Sequence, residues 1–294
     1  LDQSLLVFWR AFLLRYSDCE ILFCNFWLAD LEYGTMSWRG DRMKVGHFLA
    51  AAVVSGSLIV SARAAQIPIG TTGYNQDFIV GVGETFPAGA TGLIDNGAPA
   101  TTGNTWYGVG QNVSAPTTGL PVLPYVSESD ANTTLLLKPS NVSNTLLIDS
   151  THTTGTLTLT SPAAYSTLST FASTGNGTNT LSYVFHYSDS STHAGSASVS
   201  AGDWFNGSNV AVTANGRINE GGYDNVNAGN PRLYQINLDN PDSTRILTSV
   251  DFTLASGGGH TGILALSGAL VPEPTSLGFI GLGLLGLMGR RRKA

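Results

Sequence analysis

The chain has 294 residues, of which only 12% are charged, with 35 glycines and a formal net charge of −6. Between Gln66 and Val271 four basic residues (Lys138, Arg217, Arg232 and Arg245) stand against thirteen Asp and Glu, so nothing there neutralises a run of phosphates and nucleic acid is excluded as a partner. A texture rich in Gly, Ser, Thr and Asn fits an all-β extracellular module better than a helical cytosolic enzyme. The absence of cysteine after Cys24 rules out a disulfide framework or a thiolate metal site in the main body.

In chain order, residues 1–42 come first and fit least well. They open on Leu rather than Met, carry both cysteines, and are broken by Arg10, Arg15, Asp18 and Glu20 too often for a membrane span. The expectation is an upstream extension mis-called as protein, with translation starting at Met43, or at Met36 with Arg39 and Arg42 joining the basic region. From Met43 the chain reads as a secretory signal peptide over 43–64. Lys44 supplies the basic region, Phe48 to Val60 an apolar stretch of 13 residues, and Ala62-Arg63-Ala64 the small-residue cleavage site. Cleavage is expected after Ala64, because the next register puts bulky Arg63 at the −3 position. Export of this kind implies the Sec translocon as a transient partner.

Residues 65–270 read as one β domain. GTLTLT (155–160), TLSYVFHY (180–187), NVAVTA (209–214), LYQINL (233–238), ILTSVDFTL (246–254) and TGILALSG (261–268) alternate apolar and polar residues with the period of half-buried strands. GNG (175–177) and DNPDS (239–243) supply turns between them. One short helix is predicted over 161–173, with Ser161 as N-cap, Pro162 at the first helical position, and Tyr165, Leu168 and Phe171 on one stripe. The expected architecture is an antiparallel β-sandwich, with 66–130 adding looser strands and loops. The run from Lys138 to Asp189, the DWF triplet (203–205), NPRLYQINLD (230–239) and the closing ILALSG (263–268) resemble the galactose-binding-like jelly-roll domains of secreted bacterial proteins. The resemblance spans about residues 74–270; it implies sugar binding in some members and a structural Ca²⁺ in some.

Candidate chemistry is sparse. His186 and His193 flank Asp189 without a defensible ligand spacing, and His152 and His260 stand alone, so no metal site is expected. Asp224, Asn225 and Asn227, with Asp239, Asn240 and Asp242, offer oxygen atoms to Ca²⁺ but fit no calcium loop, and read as turn formers. No G-x-S-x-G elbow and no motif-placed pair of carboxylates appears, so no catalytic residue and no cofactor is assigned. For a sugar ligand the candidates are Trp106, Trp204, Tyr223 and Arg232, as stacking platforms and a hydroxyl partner.

The last segment, 271–294, is the most specific. Pro272-Glu273-Pro274 keeps the chain extended. A greasy run of 13 residues, Leu277 to Gly289, follows, then Arg290, Arg291, Arg292 and Lys293. As a helix the run is about 20 Å long, against a hydrocarbon core of about 30 Å, so with snorkelling arginines it just spans a thinned bilayer as a C-terminal hydrophobic helix. The basic cluster then acts as a cytoplasmic stop. In order and spacing this ending resembles the PEP-CTERM sorting signal of Gram-negative bacteria. The resemblance implies recognition and removal by an exosortase, a membrane-embedded cysteine protease-transpeptidase, and association with exopolysaccharide. The reading is a surface-sorted, non-catalytic β protein, briefly anchored in the membrane and placed in the extracellular polysaccharide matrix. Its rivals are a carbohydrate-binding module with a definite glycan and a hydrolase on a degenerate sandwich.

Overall fold

The computed structural model describes residues 15–16, 19–20, 64–224 and 229–271. The signal segment up to Arg63 and the tail from Pro272 onward, with the helices expected there, lie outside the described residues. The chain divides into two units, Leu1–Ser61 and Ala62–Ala294. In the first, β1 (Arg15–Tyr16) and β2 (Cys19–Glu20) form an antiparallel pair.

The second unit is all-β, with no helix among its described residues. Its strands begin with β3 (Ile67–Ile69), β4 (Thr71–Thr72), β5 (Ile79–Val80), β6 (Trp106–Tyr107), β7 (Tyr125–Ser127), β8 (Asp130–Leu135) and β9 (Leu146–Ile148). The long strands follow: β10 (Thr154–Gly175) and β11 (Asn179–Tyr187), then the short β12 (Thr192–Ala194), β13 (Val199–Ala201), β14 (Val210–Thr213), β15 (Arg217–Asn219) and β16 (Gly222–Asp224). The chain closes with β17 (Arg232–Leu238), β18 (Ile246–Ser256) and β19 (His260–Leu270).

Eleven of these strands make one sheet whose ladders are all antiparallel. It has two arms because β10, at 22 residues, serves both. Its first half pairs with β18 and β4, and β18 carries β11, which is edged by β12 and β13. Its second half lies between β17 and β19; β17 carries β14, and β19 carries β3 and β9. The turn of the corner falls at a register shift between Thr158 and Ala163. Pro162 stands in that gap, where a residue without an N–H costs the ladder nothing.

The main core draws on both arms. Leu157 and Leu159 of β10, Leu181, Tyr183, Phe185 and Tyr187 of β11, and Leu247, Val250 and Phe252 of β18 meet Leu168, Ala172, Ile236, Leu238, Ile263 and Leu266 of the other arm. Strand β11 shows the strict alternation of a strand with one face covered. The β17–β10–β19 arm is covered on both. Its far face packs under Phe78, Ile94, Trp106, Leu120 and Leu135 from the loop-rich stretch before β9, and under Trp204.

That double covering corrects the helix expected over 161–173: the segment is the middle of β10, paired with β17 from Leu168 and with β19 from Tyr165. Tyr165, Leu168 and Phe171 are buried, yet so are Ser169, Thr170, Ser173 and Thr174. Ser169 donates to Asn237 Oδ1 at 2.9 Å, Thr170 to Ala265 O at 3.2 Å, Ser173 to Arg232 O at 2.7 Å and Thr174 to Ala201 O at 2.9 Å. A hydroxyl with a local acceptor is cheap to bury, and Ser and Thr gain little from a helix. Two ladders therefore outweigh a three-residue apolar spacing.

Candidate functional site

Both chain ends of the domain meet at one pole of the sheet. Ile67 of β3 lies opposite Gly268 of β19, and Tyr165 opposite Leu270. The first backbone anchor is the Gln66 amide, which donates to Asn132 O at 2.8 Å; the last is the Val271 amide, which donates to Ala164 O at 2.9 Å. Ala64 and Ala65 are exposed, and a cut after Ala64 falls before the first described ladder residue of the second unit.

Two shallow hollows open near this pole. One, of about 260 Å³, is lined by Gln66, Ser166, Thr167, Leu168, Asn237, Leu238, Asp239 and Asn240. The other, of about 190 Å³, is lined by Ser129, Asp130, Asn209, Gln235 and Asn237. Asn237 belongs to both. Gln66 and Gln235 are buried, and Gln66 Oε1, Gln235 Oε1 and Thr167 Oγ1 have no hydrogen-bond partner within the protein. Lys and Arg are absent from both linings, so these hollows suit neutral hydroxylated groups better than anions.

The four residues chosen for sugar binding do not come together as an exposed platform. Trp106 is 0% and Trp204 2% exposed. The two rings meet edge to face with centroids 5.0 Å apart, and Phe205 and the Arg217 guanidinium cover Trp204 further. Neither indole offers a face to solvent, because both close the second core under β10. Tyr223 is exposed on one side, but its ring packs on Tyr107 and its hydroxyl donates to Gln111 O at 3.0 Å. Arg232 spends its Nε on Gly229 O at 2.5 Å. Asn225 and Asn227 lie outside the described residues, and Asp224 pairs with Arg217 at 2.9 Å. Asp239 accepts from Ser196, and Asn240 Oδ1 from Tyr187.

The histidines are where tertiary structure adds most. His152 and His260, 108 positions apart in the chain, both contact Asp149, at 3.1 and 3.0 Å. Burial by itself would push the Asp149 carboxyl up. Hydrogen bonds from the Thr151 hydroxyl, from His260 and from the His152 and Thr151 amides outweigh it, and hold the carboxyl well below the usual carboxylate range. His186 pairs with Asp251 at 2.7 Å and His193 with Asp242 at 2.9 Å, so neither uses the intervening Asp189. Asp149 and His152 are only three residues apart and open to a sequence reading, whereas the partners of His186, His193 and His260 come from distant strands and loops. Among the described residues no three His, Cys, Asp or Glu side chains are arranged to hold a metal.

Asp77 shows the opposite shift. Burial pushes its carboxyl up to about 7, against hydrogen bonds from the Ile79 amide and Asn144, with the Glu84 charge adding to the rise. It ties two parts of the loop-rich stretch together, because Asn144 donates to Asp77 and accepts from the Phe78 amide at 3.1 Å.

No curated protein matches the chain. Residues 270–293 match the PEP-CTERM protein-sorting motif. The match starts on the last residue of β19 and runs through the greasy segment and the basic cluster. The chain thus carries the C-terminal sorting tail of an exported, surface-sorted protein, a tail of the kind an exosortase processes.

Proposed function

We propose that this chain is a surface-sorted, non-catalytic β-sandwich protein that enters the extracellular polysaccharide matrix after losing both ends. In this reading the Sec translocon exports it, signal peptidase cuts after Ala64, and the segment 277–289 holds it briefly in the membrane. The exosortase then recognises Pro272-Glu273-Pro274 and removes the tail. The observation that carries the reading is the position of the matched motif: it begins where β19 ends, so removal from Pro272 onward takes no residue from the ladders of the described residues. The core shared by both arms supports the sandwich, and a jelly-roll relationship to galactose-binding-like modules is our reading of it.

Mass spectrometry of the termini in membrane, surface and medium fractions of the host tests the processing. A mature form running from about Ala65 to between Pro272 and Thr275 supports it; an intact basic terminus found only in membranes refutes it. Glu273→Ala is expected to leave the tail on and the protein in the membrane fraction, and normal processing of that variant would sink the sorting assignment of this motif.

A second reading, direct glycan binding, is favoured by the hollows lined by Gln66, Gln235 and Asn237 rather than by the tryptophans. Each hollow is smaller than the roughly 300–1,000 Å³ of a pocket that engulfs a drug-sized ligand. An extended glycan resting one unit in each would fit better than an enclosed one. A glycan array with wild type and Asn237→Ala separates this from passive residence in the matrix.

A further inference from the structure

We infer that the pole carrying both chain ends is a docking face for the bilayer while the tail is in place, with Ile67, Ile246 and Leu270 in contact with lipid. The inference rests on the reading of 277–289 as membrane-inserted. Three exposed apolar side chains gather there. Ile67 is 48%, Ile246 47% and Leu270 46% exposed. Ile67 stands opposite Gly268, Leu270 opposite Tyr165, and Ile246 opposite Ala164, the residue whose carbonyl holds the Val271 amide.

Chain length leaves this pole little freedom. Six residue steps separate the anchored Val271 from Leu277, the start of the greasy run. Fully extended, they cover at most about 20 Å. Six steps likewise separate Val60, the end of the apolar stretch of the signal segment, from the anchored Gln66. A domain of this length has a radius of gyration of about 17 Å. A tether that short cannot carry the domain round to present another side, and before processing two such tethers leave from the same pole. The interfacial zone of a bilayer adds about 5–7 Å on each side of the hydrocarbon, so the apolar rim lies within reach of it.

The chemistry of the pole suits uncharged or zwitterionic lipid. The adjoining hollow presents amides and hydroxyls from Gln66, Ser166, Thr167, Asn237 and Asn240, groups at home among headgroups. The cation nearest in sequence to Ile246 is Arg245, which faces Asp189 at 3.4 Å. The domain from Gln66 to Val271 is acidic overall, so attraction to anionic lipid does not drive the contact.

The test uses the full chain with Cys19→Ser and Cys24→Ser, reconstituted in phosphatidylcholine vesicles that carry a lipid-bound quencher. A fluorophore is placed in turn at Ile67→Cys, Ile246→Cys, Leu284→Cys and Val113→Cys. Val113 is exposed at the opposite pole: its stretch is held by the Gly119 amide on Ala214 O, and the Ala214 amide is held by Pro231 at the far end of β17. Labels at 67 and 246 are expected to be quenched at least three-fold more than the label at 113, with the label at 284 quenched most. Strong quenching at 284 with 67 and 246 no different from 113 overturns the docking face and leaves the tail reading intact. Absence of quenching at 284 overturns the membrane-inserted tail and the docking face with it. Protection of 67 and 246 that appears only when the processing enzyme is added overturns lipid as the occupant.

Discussion

Trp204→Ala separates a core anchor from a sugar platform by an effect too large to mistake. The indole is 2% exposed, lies edge to face with Trp106 and Phe205 at 5.0 and 5.6 Å, and has the Arg217 guanidinium 5.9 Å from its ring. A buried aromatic side chain removes about 150–250 Å² from water. At about 25 cal/mol per Å² that is about 4–6 kcal/mol, and measured Trp truncations in cores run at about 3–5 kcal/mol. We expect a loss of about 4 kcal/mol for residues 65–271. With a urea slope near 3 kcal/mol/M for a domain of this size, the unfolding midpoint falls by about 1.3 M. The melting temperature falls by about 8–16 °C. Equilibrium urea unfolding followed by far-UV circular dichroism reads the effect. A midpoint shift under about 0.3 M would refute the packing of the second core beneath β10 and return Trp204 to the list of surface platforms.

Three further outcomes follow from single positions. Asp77 titrates higher in the folded chain, at about 7, than its ordinary 3.8, so the unfolded chain binds fewer protons between those values. Its contribution is therefore complete below about pH 4 and is lost as pH rises through 7; Asp77→Asn is expected to abolish that decline when urea midpoints at pH 5 and pH 8 are compared. Asp149 is shifted the other way, so its stabilisation is present above about pH 4 and is lost as pH falls. Asp149→Ala removes the shared acceptor of Thr151, His152 and His260 and is expected to cost about 3 kcal/mol at pH 7, a cost that shrinks progressively as the pH falls below about 4. At Gly175 an added Cβ would stand 2.0 Å from Ile94 O and 2.5 Å from Ile94 C. Gly175→Ala is expected to lower the melting temperature by several degrees, whereas Gly108→Ala, whose nearest contact is 3.4 Å from a Val122 methyl, is expected to change it little.

Much of the strand order was legible before folding. TLSYVFHY becomes β11, with Leu181, Tyr183, Phe185 and Tyr187 on the core face as their spacing predicts. GNG is a turn with Asn176 and Gly177 at positive φ, as its composition predicts. The segment 161–173 failed because periodicity assumes that polar residues face water. Ser169, Thr170, Ser173 and Thr174 are buried there, and each finds its acceptor on another strand or in another loop. Nothing local distinguishes such a hydroxyl from an exposed one.

The same limit governed the site residues. In the sequence Trp106 and Trp204 are candidate platforms, although Trp204 beside Phe205 reads more readily as a core anchor; Phe78, Ile94 and Leu120 pack with both in one core. His152 and His260 looked solitary because Asp149 joins them across β9 and β19. The sorting tail needed no folding to be read, because Pro272-Glu273-Pro274, the greasy run and the basic cluster act in sequence, as an extended segment followed by a membrane-seeking one. By itself the sequence determined several of the strands, the turns between them and that linear address. Only the tertiary structure decided which faces are doubly covered, which carboxylates the histidines meet, and that both ends leave from one pole. Those properties depend largely on residues brought together by ladders between strands some sixty to two hundred positions apart, and local spacing does not encode such pairings.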